Sequence, residues 1–89
     1  MSGERTTRKR SYRGISPRLA VQYLTTLGGD AVSDDRVVAD DWEASLSAEK
    51  VGVGPSLSLT EVTVVFEGDP EALDALVDRF SQKAMRAGG

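Results

Sequence analysis

Eighty-nine residues, 39% of them apolar and with a net charge of −3, make one small domain with one modest core. The chain has no Cys and no His, which removes the disulfide, the thiol nucleophile, the commonest metal ligand and the commonest general base. No apolar run approaches the ~20 residues that span a bilayer, and the polar, basic N-terminus has no apolar signal segment, so a cytoplasmic location is expected.

Charge is segregated along the chain. Residues 1–18 carry six Lys and Arg against Glu4, whereas residues 19–89 carry five against thirteen Asp and Glu. Asp outnumbers Glu and Lys is scarce, the balance of an acidic surface suited to a salt-rich cytoplasm. Residues 1–7 lack apolar residues after Met1 and are expected to form a flexible basic arm. Residues 8–89 are expected to form a single α+β domain.

Residues 8–14 read as a first strand, with Arg8, Arg10 and Tyr12 on one face and Lys9, Ser11 and Arg13 on the other. Arg8, Lys9, Arg10 and Arg13 are the candidate residues for an anion-binding or nucleic-acid-binding arm. The competing reading is an edge strand whose charges deter pairing with other chains, and it is the favoured one. An acidic body opposes nucleic acid everywhere except at this arm, and the same arm could instead bind an acidic protein or the chain's own acidic surface.

Ser16-Pro17 opens the first helix, Ser16 as N-cap and Pro17 at the first helical position. Leu19, Ala20, Tyr23, Leu24 and Leu27 follow at helical spacing, and Gly28-Gly29 ends the helix. Residues 30–41 are rich in turn residues. Ala31-Val32 and Val37-Val38 flank Ser33-Asp34-Asp35 and form either a short hairpin or a single ragged strand. The carboxylates of Asp30, Asp34, Asp35, Asp40, Asp41 and Glu43 lack the ligand order of a calcium loop and read as a solvated acidic segment.

Residues 42–67 read as one long β-hairpin. Trp42, Ala44, Leu46 and Ala48 alternate with polar residues going out, and Val62, Val64 and Phe66 alternate coming back. Gly54-Pro55-Ser56 makes the turn. A single register pairs Val53 with Leu57, Val51 with Leu59, Ala48 with Val62, Leu46 with Val64 and Ala44 with Phe66. The apolar set changes parity between Ala48 and Val51, and again between Leu59 and Val62. The tip therefore turns its apolar side chains to the opposite face, unless paired bulges restore one face. Gly52-Val53-Gly54 is not set between a strand and a helix, so it serves the turn rather than a phosphate. Trp42, the only Trp, closes one end of the core.

Asp69 caps the second helix and Pro70 takes its first position. Leu73, Leu76, Val77, Phe80, Ala84 and Ala87 form its apolar stripe. Glu71 and Asp74 sit near its positive end, Lys83 and Arg86 near its negative end, and Gly88-Gly89 reads as its C-cap. The expected architecture is α+β: an antiparallel sheet of three to five strands, both helices on one face, in the order β-α-β-β-β-α. Nothing remains to cover Val51, Val53, Leu57 and Leu59 on the other face, so these are the candidate self-association residues. A homodimer is the expected solution.

Arg10, Arg13-Gly14, Tyr23-Leu24, Leu27-Gly28-Gly29, Trp42, Phe66-Glu67-Gly68 and Met85-Arg86-Ala87-Gly88-Gly89 span most of the chain. In these positions it resembles the small prokaryotic domain found as the C-terminal part of MoaD-related proteins. MoaD is the ubiquitin-like sulfur carrier of molybdopterin synthase. The element order is also similar to half of a TATA-binding-protein-like repeat. The resemblance implies a TBP-like α+β fold and a link to sulfur-carrier chemistry, and it transfers no active residue. Without a catalytic constellation, nucleotide fingerprint, metal set or cofactor motif, the leading reading is a non-enzymatic interaction or accessory module that self-associates through its sheet. The alternatives are a nucleic-acid-binding module using the basic arm, and a carrier whose tail is the Gly88-Gly89 diglycine.

Overall fold

The computed structural model describes residues 5–88. In chain order they form β1 (Thr6–Arg13), α1 (Pro17–Thr26), β2 (Asp30–Ser33), β3 (Arg36–Val38), β4 (Trp42–Gly54), β5 (Leu57–Gly68) and α2 (Pro70–Gly88). The strands make one sheet in the order β1-β5-β4-β3-β2, and every neighbouring pair is antiparallel. The fold is α+β, as expected, with one more strand than the expected order counted. Residues 30–41 take the hairpin alternative, β2 and β3 joined through Asp34-Asp35. Ser33 stabilises that turn: its hydroxyl donates to Asp35 Oδ1 at 2.8 Å and accepts from the Asp35 N–H at 3.4 Å. β1 also begins earlier than expected, at Thr6 rather than Arg8, because Thr6 and Thr7 pair with Gly68 and Glu67 at the far end of β5.

Local chemistry sets the helix ends. The Ser16 hydroxyl accepts the Leu19 N–H at 3.1 Å, and Pro17 occupies the first helical position. At the other end Gly28 takes φ +109°, and two bonds close the helix: Gly28 N–H to Thr25 O and Gly29 N–H to Leu24 O, both at 3.1 Å. This is the paired pattern of a left-handed glycine stop. In α2 the Ala72 N–H donates to Asp69 Oδ2 at 3.3 Å. α2 continues through Gly88, so the expected cap at Gly88-Gly89 is corrected: Gly88 is itself helical, and Gly89 lies outside the described residues.

The long hairpin keeps one register from Trp42 opposite Gly68 to Gly52 opposite Ser58. Ala44/Phe66, Leu46/Val64, Ala48/Val62 and Val51/Leu59 are direct partners, as expected. The pairing of Val53 with Leu57 is not formed. Gly54 pairs with Leu57 instead, across a turn at Pro55-Ser56, and a register shift lies between Gly52 and Gly54. The physical reason is the proline. Its fixed φ suits the first central position of a two-residue turn, which draws Gly54 opposite Leu57 and leaves Val53 as the extra residue of a bulge.

Both helices cover one face of the sheet. Val37, Trp42, Ala44, Leu46, Val62, Val64 and Phe66 meet Ile15, Ala20, Leu24, Leu73, Leu76, Phe80 and Ala84 in a single buried cluster. Val77 packs against it from the edge, while the Ala87 side chain lies outside those described. Phe80 is the centre: its ring lies 5.0 Å from Tyr12, 5.8 Å from Phe66 and 6.0 Å from Tyr23, each edge-to-face. The Tyr12 hydroxyl hydrogen-bonds Ser81 Oγ at 2.9 Å, tying β1 to α2. The opposite face of the sheet is uncovered and carries Lys9, Ser11, Arg13, Glu43, Ser45, Ser47, Thr63 and Glu67.

Candidate functional site

The first candidate surface is the hairpin tip. β1 pairs with β5 as far as Glu61, and β3 pairs with β4 only as far as Ser45. Beyond those points the ribbon is two-stranded. At ~3.3 Å per residue the 13 residues of β4 extend ~40 Å, which accounts for a molecule 52 Å long and only 21 × 19 Å across. No bulge interrupts the register between Ala48 and Val51 or between Leu59 and Val62. By strict alternation, Val51, Leu57 and Leu59 therefore lie on the face opposite Leu46 and Val64. Val53 sits beside them in the bulge. Val53 is 42% exposed, Leu57 62% and Leu59 40%, with Val51 half-buried. The four candidate residues are thus brought together at one end of the molecule, away from both helices.

The basic strand is the second candidate, and its cations are divided. Arg8 and Arg10 pair with Phe66 and Val64 and lie on the helix-covered face, whereas Lys9 and Arg13 lie on the open face. Arg8 Nη2 meets Asp74 Oδ1 on α2 at 2.9 Å, and Arg13 Nε donates to Glu61 Oε2 at 3.2 Å. Arg10 Nη1 donates to the Lys9 carbonyl at 3.0 Å. Four cations on two faces, two of them neutralised, do not form the continuous positive surface that tracks a phosphate backbone. The acidic partners Asp74 and Glu61 were not identifiable from the sequence, because each lies far along the chain and is brought in by α2 or β5.

The acidic segment is likewise absorbed by structure. Glu43 accepts Arg36 Nη2 at 2.9 Å and lies 3.9 Å from Arg5, and the Asp41 carbonyl accepts the Asp69 N–H at 3.1 Å. Among the described residues no three Asp or Glu side chains are grouped so as to hold a metal ion. Shallow cavities among the described residues include two near the helices. One of about 180 Å³ is lined by Leu27, Asp41, Trp42, Leu76 and Arg79, and one of about 310 Å³ by Pro17, Arg18, Val21, Ala31 and Asp34. Ser33 also lines the second, and its hydroxyl is engaged by Asp35 within the exposed β2–β3 turn. Among the described residues no helix is long and apolar enough to cross a membrane.

No curated protein matches the chain. The family described as archaeal MoaD-like protein matches residues 8–89, from the third residue of β1 past the end of α2. That span takes in the sheet except Thr6 and Thr7, the projecting hairpin and both helices, so the chain belongs to the archaeal MoaD-like protein family.

Proposed function

We propose that this chain is a non-catalytic interaction module associated with MoaD-type sulfur carriers, and that it pairs with a second copy through the hairpin tip. The observation that carries this reading is the exposure of Val53, Leu57 and Leu59 beside Val51 on a ribbon that, among the described residues, no helix covers and no third strand flanks. A two-stranded ribbon alone in water is marginally stable. Its apolar patch of roughly 300–500 Å² is near the limit for a free monomer. A second copy offers an identical patch, and a two-fold axis lets each cover the other. The total buried area is then roughly 600–1,000 Å², below the ~1,200 Å² of standard interfaces, so association is weak and concentration-dependent.

Sedimentation velocity between about 1 and 500 µM tests this. The wild type is expected to shift from monomer towards dimer and to keep doing so at high salt, since apolar contacts are not screened. Leu57→Asp is expected to stay monomeric with its unfolding temperature nearly unchanged, because Leu57 is mostly exposed. A wild type that stays monomeric across the range ends the proposal, as does Leu57→Asp sedimenting like the wild type.

The diglycine carries a separate expectation. A carrier tail enters its adenylating enzyme extended, whereas α2 is helical through Gly88. Incubation with a carrier-activating enzyme and ATP is expected to leave the intact mass unchanged. An adenylate or thiocarboxylate adduct would assign the carrier role instead.

A further inference from the structure

The sheet ends on one side at β1, and the direction of its backbone groups follows from one bond. The Gly14 N–H donates to Thr60 O at 3.3 Å, continuing the register in which Tyr12 faces Val62 and Arg10 faces Val64. In an antiparallel pair, alternate residues turn both backbone groups towards the partner. Residues 6, 8, 10, 12 and 14 therefore serve β5, and Thr7, Lys9, Ser11 and Arg13 direct N–H and C=O outward. The Lys9 carbonyl confirms the direction, since it is free to accept Arg10 Nη1. Lys9 and Arg10 have no carboxylate partner among the described residues, whereas Arg8 and Arg13 have Asp74 and Glu61.

We propose that the β1 edge takes an extended acidic segment of a protein partner as a sixth strand. Outward backbone groups supply the ladder and the two unpaired cations supply the selectivity. Lys9 projects to the open face and Arg10 to the helix face. A strand laid along β1 alternates faces in the same way, so two consecutive acidic residues meet one cation each. On docking, Arg10 leaves the Lys9 carbonyl for a carboxylate, exchanging a bond to a neutral acceptor for a charge-assisted one. The vacated carbonyl then joins the ladder. The opposite edge does not compete: β2 is four residues long, starts at Asp30 and runs into Asp34-Asp35. Residues 19–89, with thirteen acids against five cations, repel such a segment and steer it to β1.

The probe is fluorescein-labelled Thr-Val-Thr-Glu-Glu-Val-Thr. The control replaces both Val with Pro, keeping the charge but not the ability to pair. Anisotropy is measured on the wild type and on Leu57→Asp, so that failure of self-association and failure of this site are read separately. The Val peptide is expected to bind at low salt at least tenfold more tightly than the Pro peptide, and equally well to both proteins. Lys9→Glu is expected to weaken it at least tenfold. Ser11→Pro, which removes one outward N–H and the hydroxyl contact to Thr63 Oγ1 but spares the backbone ladder to β5, is expected to do the same. Lys9 is exposed, so Lys9→Glu decides the matter alone where Ser11→Pro does not fold. Equal binding of the two peptides, no binding at low salt, or tighter binding of a ten-residue oligothymidylate would overturn the proposal.

Discussion

Phe80→Ala is expected to lower stability by about 3–5 kcal/mol. A domain of this length holds about 5–13 kcal/mol in all, so this one change removes a large part of it. The cause is position. Phe80 is fully buried and is the ring that β1, α1 and β5 share, through Tyr12, Tyr23 and Phe66. Truncation leaves a cavity where these elements meet, and the surrounding strands cannot collapse into it without breaking the sheet register. It also removes the packing that positions Ser81 against the Tyr12 hydroxyl. Phe80→Leu keeps much of the volume but loses the edge-to-face pairs, and about 1–2 kcal/mol is expected. Urea unfolding followed by the single Trp separates the two, because Trp42 is buried in the same cluster. Equal losses for Ala and Leu would show that ring geometry is irrelevant at this site.

Gly68→Ala is expected to lose about 3 kcal/mol, or on the order of 12–20 °C in unfolding temperature, although it only adds a methyl group. Gly68 is buried, has φ +157° and faces the start of β4. A Cβ there would collide with the Asp41 carbonyl oxygen and lie 2.7 Å from Trp42 Cα. Both are backbone atoms, held by the Asp69 N–H bond to Asp41 O and by the β4–β5 ladder, so neither can give way at low energy. The clash is relieved only by displacing Trp42, backbone and side chain together, which carries that cost, and its emission should shift to the red in the folded variant. Gly52→Ala is the comparison: a Cβ at Gly52 meets nothing within 4 Å, and a change within ~0.5 kcal/mol is expected. Similar losses at the two positions would show that backbone entropy, not the close approach of β4, governs Gly68.

Much of this fold is legible in the residues because the signals are local. Ser16-Pro17, Gly28 and Asp69-Pro70 mark helix ends through bonds made within four residues. The hairpin register is legible for a related reason: two strands joined by a short turn have one pairing that keeps Ala44, Leu46, Val62, Val64 and Phe66 on one side. Period two also carries the change of face at the tip, since no bulge intervenes. The pairing at the turn itself was not legible. Val53 opposite Leu57 satisfies apolar matching, but Pro55 sets the turn geometry, and local backbone restriction outweighs one exposed apolar pair.

The candidate surfaces divide along the same line. Alternation and turn chemistry, both encoded within a few residues, were enough to determine the helices, the long ribbon and the apolar tip. Whether a charge is free or paired depends on residues far apart in the chain, such as Arg8 with Asp74 and Arg13 with Glu61. Alternation already divided the basic strand between two faces; only the tertiary structure decided that it is half neutralised, and that Phe80 is the ring three other elements share. Ion pairs and ring contacts of this kind form between elements whose relative placement is set by packing of the whole core, and packing has no short-range signature.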